Sequence, residues 1–401
     1  MTEVWSLAAL WFALALAAVL LSILLRIANA LSEIIVGIVA GALIGAATLG
    51  TDQSWIKFLA GAGAIILTFL AGAELDPVVF KAKWKEATAV GLVSFAAPFI
   101  GCAAAAYYLL HWNVEASWLA GVALSTTSVA VVYAVMLEFG FNRTDYGKTL
   151  LAACFITDLG TVLALGFIFS PFTVKTLIFF GATMAACLIL PTVTSRLFAR
   201  HGNRTSEIEA KFLLLALFAL GALAAWAGSE PVLPAYVAGM LLAGTVGRDH
   251  ALIRRLRTLT FGLLTPFYFI RAGAFVSIPS LIAAPVAFLV LLLSKLATKC
   301  AGVYPVTRVF GSANPEAMYT TLLMSTGLTF GSISALYGLS HGIVDDSQYS
   351  LLILTVIASA VVPTLIANAW YLPHHLLPAA DEGSESSPVP TAAARRTSRG
   401  K

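Results

Sequence analysis

The chain has 401 residues, of which 59% are hydrophobic and only 11% charged, and its formal net charge is +4. Soluble globular proteins carry about 25% charged residues, so this composition excludes a water-soluble fold of this size and indicates an integral membrane protein. The basic residues lie between hydrophobic runs rather than on one face, which argues against a nucleic-acid partner.

Stretches of roughly 20 apolar residues, the length that crosses a bilayer, recur along the chain between short polar loops. They predict an all-α polytopic membrane protein with about 13 transmembrane helices. The first stretch follows an acidic rather than a basic start, so we predict a retained helix and not a signal peptide. The predicted spans are 4–26, 30–50, 55–75, 87–110, 116–138, 148–169, 174–199, 209–228, 231–247, 257–277, 280–308, 317–340 and 349–371.

The charges of the loops between these spans are strongly one-sided. With the N-terminus outside, the segments on the inner side carry 19 of the 24 basic residues. The positive-inside rule predicts this partition. We therefore expect the N-terminus outside and the C-terminus in the cytoplasm, in a bacterial inner (cell) membrane.

The chain divides into two parts by composition. Residues 1–372 form the predicted transmembrane domain, and 373–401 are rich in Ala, Ser, Pro and charged residues, which predicts a disordered cytoplasmic tail. The four cysteines lie in or beside apolar segments without a CxxC or Cys/His cluster, which predicts neither a metal cofactor nor a disulfide framework. All six histidines lie in loops or at span ends, so no nucleophile–base pair of an enzyme is visible.

Four ionisable side chains fall inside predicted spans and away from the ends: Asp158, Arg271, Lys295 and Lys299. A charge at the bilayer centre costs at least about 2.5–3.5 kcal/mol, so it usually faces a cavity or a partner. Asp158 is the sharpest case, because a buried carboxylate can alternate between holding a proton and coordinating a hard cation. A structural salt bridge to either lysine is the alternative. Glu33 is interpreted as interfacial, and Glu74 as a helix-end or gating carboxylate.

Two spans are poorly suited to a continuous helix. The fifth holds four consecutive hydroxyl residues, 125–128, and the twelfth holds a run of Ser, Thr and Gly over 325–332. Such residues loosen the helical backbone, and unwound backbone at membrane depth must line a cavity or be buried in protein. The twelfth span comes seven spans after the fifth, an odd number, so the two segments cross in opposite directions. This arrangement predicts an inverted repeat with two discontinuous helices meeting near the midplane.

Several short segments, in order along 30–372, resemble the cation:proton antiporter superfamily, in the branch that holds bacterial sodium/proton antiporters and potassium-efflux antiporters. The resemblance rests on the segments 69–76, 123–131, 157–158, 236–244, 265–273, 299–302 and 308–311.

The resemblance implies the sodium/proton antiporter fold: a homodimer in which a mobile core, with two crossing broken helices, moves against a dimerisation subdomain. Asp158 corresponds to the carboxylate that binds cation and proton in turn. Thr127, and with it Thr126, would supply oxygens from the fifth span. Lys299 resembles the charge-pairing lysine, with Lys295 one turn away as the alternative.

The chain departs from the family pattern at one position. Family members usually have Asp, Asn or Gln immediately before the key aspartate, where this chain has Thr157. A hydroxyl can donate an oxygen ligand but cannot titrate, so a two-carboxylate site is absent. The expected function is exchange of Na⁺ or K⁺ for H⁺, without a cofactor. A sodium-coupled symporter of an organic anion on a related fold and a gated cation channel are the alternatives.

Overall fold

The computed structural model describes residues 2–25, 28–73, 83–141, 144–169, 173–201, 207–229, 231–247 and 249–376. Within these ranges the chain is helical, with no β-strand. The first helices are α1 (Thr2–Leu25), α2 (Asn29–Ile44), α3 (Ser54–Ala73), α4 (Trp84–Ala104), α5 (Val114–Ser125), α6 (Val129–Glu138), α7 (Asp145–Phe169) and α8 (Val174–His201).

The second half follows with α9 (Ile208–Trp226), α10 (Val232–Leu242), α11 (His250–Leu259), α12 (Thr265–Ala274), α13 (Ile278–Ala283), α14 (Pro285–Val309), α15 (Asn314–Met324), α16 (Thr329–Ser340) and α17 (Asp346–Ile366). Single π-helical turns extend α4, join α11 to α12 and extend α17: Ala105–Leu109, Thr260–Leu264 and Ala367–Tyr371.

Each of the thirteen predicted spans corresponds to one helix or to a pair of consecutive helices. In the described ranges, nine segments are long and apolar enough to cross a membrane, and three shorter apolar helices accompany them: Asn29–Ile44, Val114–Ser125 and Val232–Leu242. The lengths follow from the apolar runs, since about 20 residues of helix match the hydrocarbon thickness. The chain is a polytopic helical membrane protein.

The helices pack as two groups. The scaffold comprises α1–α3 and α9–α12, which contact one another closely; the core bundle comprises α4–α7 and α14–α17. The helix α8 packs against α9 and α10, and α10 also contacts α7 of the core bundle. Close packing in the scaffold depends on glycine, which has no side chain: a Cβ at Gly72 would lie 2.5 Å from the carbonyl oxygen of Tyr236. The close approach of α3 and α10 therefore requires glycine.

The tenth span differs from its prediction. Helical structure in this region begins at His250, where α11 starts, and not at 257, where the span was predicted to start. The helix α11 is amphipathic: Leu252, Ile253 and Leu256 are buried, while Arg254 and Arg255 are exposed. Sequence reasoning assigned these arginines to a loop because it required an uninterrupted apolar run. A helix with apolar residues at i, i+1 and i+4 needs only one buried face.

Two charged residues show what position along a span does not specify. Arg271, predicted inside a span and away from its ends, lies in the last turn of α12, where its Nε donates to the carbonyl of Thr51 at 2.8 Å. Glu33 is completely buried in the protein, and its interfacial depth in the membrane stays a prediction.

Two predictions fall wholly or largely outside the described residues. Glu74 is one of them, and the tail is described only to 376, where His374–Leu376 forms a short 3-10 turn. The gating role of Glu74 and the disorder of the tail stay predictions.

Candidate ion-binding site

The two predicted breaks are present and they cross each other. The helix α5 ends at Ser125 and α6 begins at Val129, while α15 ends at Met324 and α16 begins at Thr329. In the gaps, backbone groups that a continuous helix would pair are paired across the crossing. The Ser128 amide donates to the Thr326 carbonyl at 3.0 Å, which confirms the prediction of two discontinuous helices that meet.

Asp158 lies on α7 inside the core bundle. Its exposure is 2%, and its Oδ1 has no hydrogen-bond partner among the described residues. A buried carboxylate oxygen without a partner carries a large desolvation cost. Binding a proton or a cation would remove that cost, so this atom marks the place where an ion is expected.

Lys299, on α14, is the lysine associated with the first break. It is fully buried, and its Nζ donates to Ser94 Oγ at 2.8 Å and to Thr127 Oγ1 at 3.1 Å. Through Thr127 it is joined to the first break, whose Ser125 Oγ lies 3.3 Å from Thr161 Oγ1 on the aspartate helix α7. These contacts favour Lys299 over Lys295 as the charge partner of Asp158.

Lys295, one turn earlier on α14, is associated with the second break. It is fully buried and its Nζ donates to Ser359 Oγ on α17 at 2.9 Å. Its ammonium group lies where a side chain at Gly327 would project. Glycine at this position in the break therefore gives Lys295 its space.

The threonines predicted as ligands have different neighbours. Thr127 Oγ1 donates to the Met324 carbonyl at 2.8 Å, across the crossing. Among the residues that the structure describes, Thr126 Oγ1 donates to the Ala123 carbonyl of its own helix, at 3.3 Å. Thr157 donates to the carbonyls of Gly91 and Ala153, both at 3.1 Å. Because each hydroxyl donates its proton to a carbonyl, its lone pairs stay available to accept a donor or a cation.

The predicted pairing of Asp158 with a lysine is not a direct ion pair in this structure. Within the described ranges, neither lysine approaches the Asp158 carboxylate to within 4.0 Å. Both ammonium groups donate instead to serine and threonine hydroxyls. The site therefore combines one carboxylate with two lysine side chains whose amino groups are held by hydroxyl groups.

Sequence reasoning missed the serines that hold the lysines. Ser94 and Ser359 each have apolar residues on both sides in the sequence, and a serine in such a span usually serves helix packing. The neighbouring residues in the sequence do not distinguish a serine that binds a lysine from a serine that only packs between helices. Thr161 was missed for the same reason, although its Oγ1 lies 3.3 Å from Ser125 Oγ at the first break.

A polar cavity of about 250 Å³ opens beside the site, at the end of the core bundle predicted to face the cytoplasm. Its walls include the carboxylates of Glu86, Asp145 and Glu316 and the hydroxyl-bearing Tyr146. Its inner wall reaches Ala153, one helical turn before Thr157. Water and cations can therefore approach the site to within about one turn of α7 from this side.

Comparison with known proteins agrees with this architecture. The family profile described as "Sodium/hydrogen exchanger, transmembrane" matches residues 13–370. The chain is 24% identical over 341 residues to a probable Na(+)/H(+) antiporter 3 of Methanocaldococcus jannaschii, covering 81% of this chain and 86% of that protein. It is 26% identical over 347 residues to the glutathione-regulated potassium-efflux system protein KefC of Escherichia coli, covering 79% of this chain and 53% of that protein.

A solved structure shares the fold. The sodium proton antiporter MjNhaP1 from Methanocaldococcus jannaschii, at pH 8, superposes with a TM-score of 0.69 at 16% identity, over 91% of this chain and 97% of that one. The family profile spans nearly the whole membrane part of the chain. The fold of the solved antiporter agrees with it. The chain belongs to the sodium/hydrogen exchanger family.

Proposed function

We propose that the chain is a secondary transporter that exchanges a monovalent cation, Na⁺ or K⁺, for H⁺. The observation that carries the proposal is the buried Asp158, whose Oδ1 has no partner among the described residues beside two crossing helix breaks. Membership of the exchanger family and the relatives' names support the same activity. No observation favours the symporter or the channel.

Exchange follows from competition at one carboxylate. Asp158 holds either a proton or a cation, because both need the same oxygens and a second negative charge is absent at Thr157. When the site faces one side of the membrane, a cation displaces the proton; when it faces the other side, a proton displaces the cation. Neither step needs a cofactor.

The cation's other ligands would be oxygens of the breaks. Thr127, Thr126 and Thr157 supply hydroxyl oxygens, and unwound backbone supplies carbonyls, which suit hard cations. Lys299 would stabilise the ionised carboxylate and repel a bound cation, which keeps cation binding reversible.

Alternating access would come from movement of the core bundle against the scaffold. Asp158, the two lysines and both breaks all belong to the core bundle, so they move as one body. We infer a homodimer in the bacterial inner membrane, with the N-terminus outside. The exposed apolar side chains of α1, such as Trp5, Leu20 and Leu24, suit contact with lipid or with the second subunit.

The test uses proteoliposomes that enclose a pH-sensitive dye and carry an imposed proton gradient. Na⁺, Li⁺, K⁺ and choline are added in turn to the wild type and to Asp158→Asn. An alkali cation should dissipate the gradient with the wild type and not with the variant, and choline should do so with neither. If no cation moves protons at any pH, the proposed exchange is wrong.

A further inference from the structure

One buried hydrogen bond joins the scaffold to the core bundle near the ion site. Tyr236, on the scaffold helix α10, is completely buried, and its hydroxyl donates to the backbone carbonyl of Phe155 on α7 at 2.8 Å. Phe155 is about one helical turn before Asp158. The bond therefore connects the two groups of helices at the depth of the site.

The Tyr236 ring also contacts the second discontinuous helix. It packs edge-on against Phe330 in the first turn of α16, with ring centroids 5.6 Å apart and an interplanar angle of 89°. One scaffold side chain thus contacts both the aspartate helix and the second discontinuous helix.

We propose that Tyr236 is a positioning residue that holds the core bundle in this position. The proposal rests on the proposed function, because it needs the core bundle to move during exchange. Whenever the core bundle slides along the scaffold, Phe155 leaves Tyr236 and the hydroxyl loses its acceptor. A buried donor without an acceptor is costly, so this bond slows departure from the present conformation.

Other bonds between the two groups lie near the segment that connects them. The Tyr349 hydroxyl on α17 donates to the Ala272 carbonyl at 2.6 Å, and the Ser277 amide donates to Ser350 Oγ at 2.8 Å. They lie close to the connection from α12 to α14, where the least relative movement is needed. Tyr236 lies far along the chain from this connection, so among the bonds described between the two groups its bond is the one that sliding disturbs most.

The test compares Tyr236→Phe with the wild type in proteoliposomes, at saturating cation. Phenylalanine keeps the ring and its contact with Phe330 and removes only the hydroxyl. We expect the maximal exchange rate to rise about two- to tenfold, the factor that corresponds to one net hydrogen bond. The relative rates with Na⁺, Li⁺ and K⁺ should stay unchanged, since no cation ligand is altered.

Tyr319→Phe is the matched control. Tyr319 is also fully buried, but its hydroxyl donates to Asn368 Oδ1 at 3.2 Å within the core bundle. If both variants exchange faster, general loosening explains the effect and the proposal is wrong. Suppose that the wild type exchanges and Asp158→Asn does not. An unchanged or lower rate in Tyr236→Phe then overturns the role of Tyr236 and leaves the proposed function standing. Absence of exchange in the wild type overturns the proposed function, and with it this role.

Discussion

The hydroxyl of Thr127 donates a 2.8 Å hydrogen bond to the carbonyl of Met324, a residue 197 positions later. The same oxygen accepts a hydrogen bond from Lys299 at 3.1 Å. One small side chain therefore joins the first break to the second and both to a buried ammonium group. A cation that took Thr127 as a ligand would compete with Lys299 for this oxygen.

Replacing Thr127 by Val should lower both stability and exchange. The methyl group that replaces the hydroxyl leaves the Met324 carbonyl and the Lys299 ammonium each with one partner fewer, at a cost of about 1–3 kcal/mol. The midpoint of thermal unfolding in detergent and the exchange rate measure the two effects. Thr127→Ser, which keeps the hydroxyl, should retain most of both.

Thr126→Val is the neighbouring control. Its hydroxyl donates to a carbonyl of its own helix, so the loss of stability should be smaller than at Thr127. Equal destabilisation by the two substitutions would show that the bond across the crossing does not matter.

Lys299→Met and Lys295→Met should have separable effects on pH dependence. Removing the positive charge that interacts with Asp158 favours the protonated carboxyl, so Lys299→Met should move half-maximal exchange toward alkaline pH. Lys295, held by Ser359, should shift the profile less when replaced. The measurement is the exchange rate between about pH 6 and 9. A larger shift for Lys295→Met than for Lys299→Met would show that Lys295, and not Lys299, is the charge partner of Asp158.

Glu33 should be neutral in the folded protein. Its Oε1 accepts a hydrogen bond from Asn29 Nδ2 at 2.8 Å, while its Oε2 and Asn29 Oδ1 are both buried without a partner among the described residues. If the carboxyl carries a proton on Oε2, its O–H group becomes a donor, and the unpartnered Asn29 Oδ1 is an acceptor for it. Glu33→Gln, which carries such a donor permanently, should therefore unfold at nearly the wild-type temperature.

Glu33→Ala should instead lose about 1–3 kcal/mol of stability, because it leaves Asn29 without its acceptor and creates a cavity. The comparison needs only thermal unfolding in detergent. If Gln destabilises the protein as much as Ala does, the carboxyl is ionised and requires a charge that an amide cannot imitate.

Two glycines of α3 provide a matched test of scaffold packing. A Cβ at Gly72 would collide with the backbone of α10, whereas a Cβ at Gly61 would meet nothing within 4 Å. Gly72→Ala should separate α3 from α10 and destabilise the protein by at least about 1–3 kcal/mol. Gly61→Ala should be neutral or slightly stabilising, since Ala favours helix. Equal unfolding temperatures for the two variants would contradict the close approach.

The sequence predicted the spans and the breaks because both depend on local composition. About 20 apolar residues suffice to mark a span, and the Ser-Thr run at 125–128 suffices to mark a break. The partners of the lysines were not predictable in this way. Ser94 and Ser359 meet the lysines only through packing of helices far apart in the chain, and a single serine in an apolar span carries no local signal.

Two charged residues show what the local sequence does not specify. Arg271 was predicted inside a span and away from its ends, yet it lies in the last turn of α12. The burial of Glu33 was not predicted, because it depends on which face of α2 packs inward. Both features are set by tertiary packing, which the order of residues along one helix does not specify.

The most direct test of the central claim measures protons released when a cation binds. Na⁺ or K⁺ is added to the purified protein in weakly buffered detergent solution, at a pH where the site holds its proton, and the pH change is recorded. Competition at Asp158 predicts the release of about one proton per bound cation from the wild type and none from Asp158→Asn. Cation binding without proton release from the wild type, or undiminished release from the variant, would contradict the account.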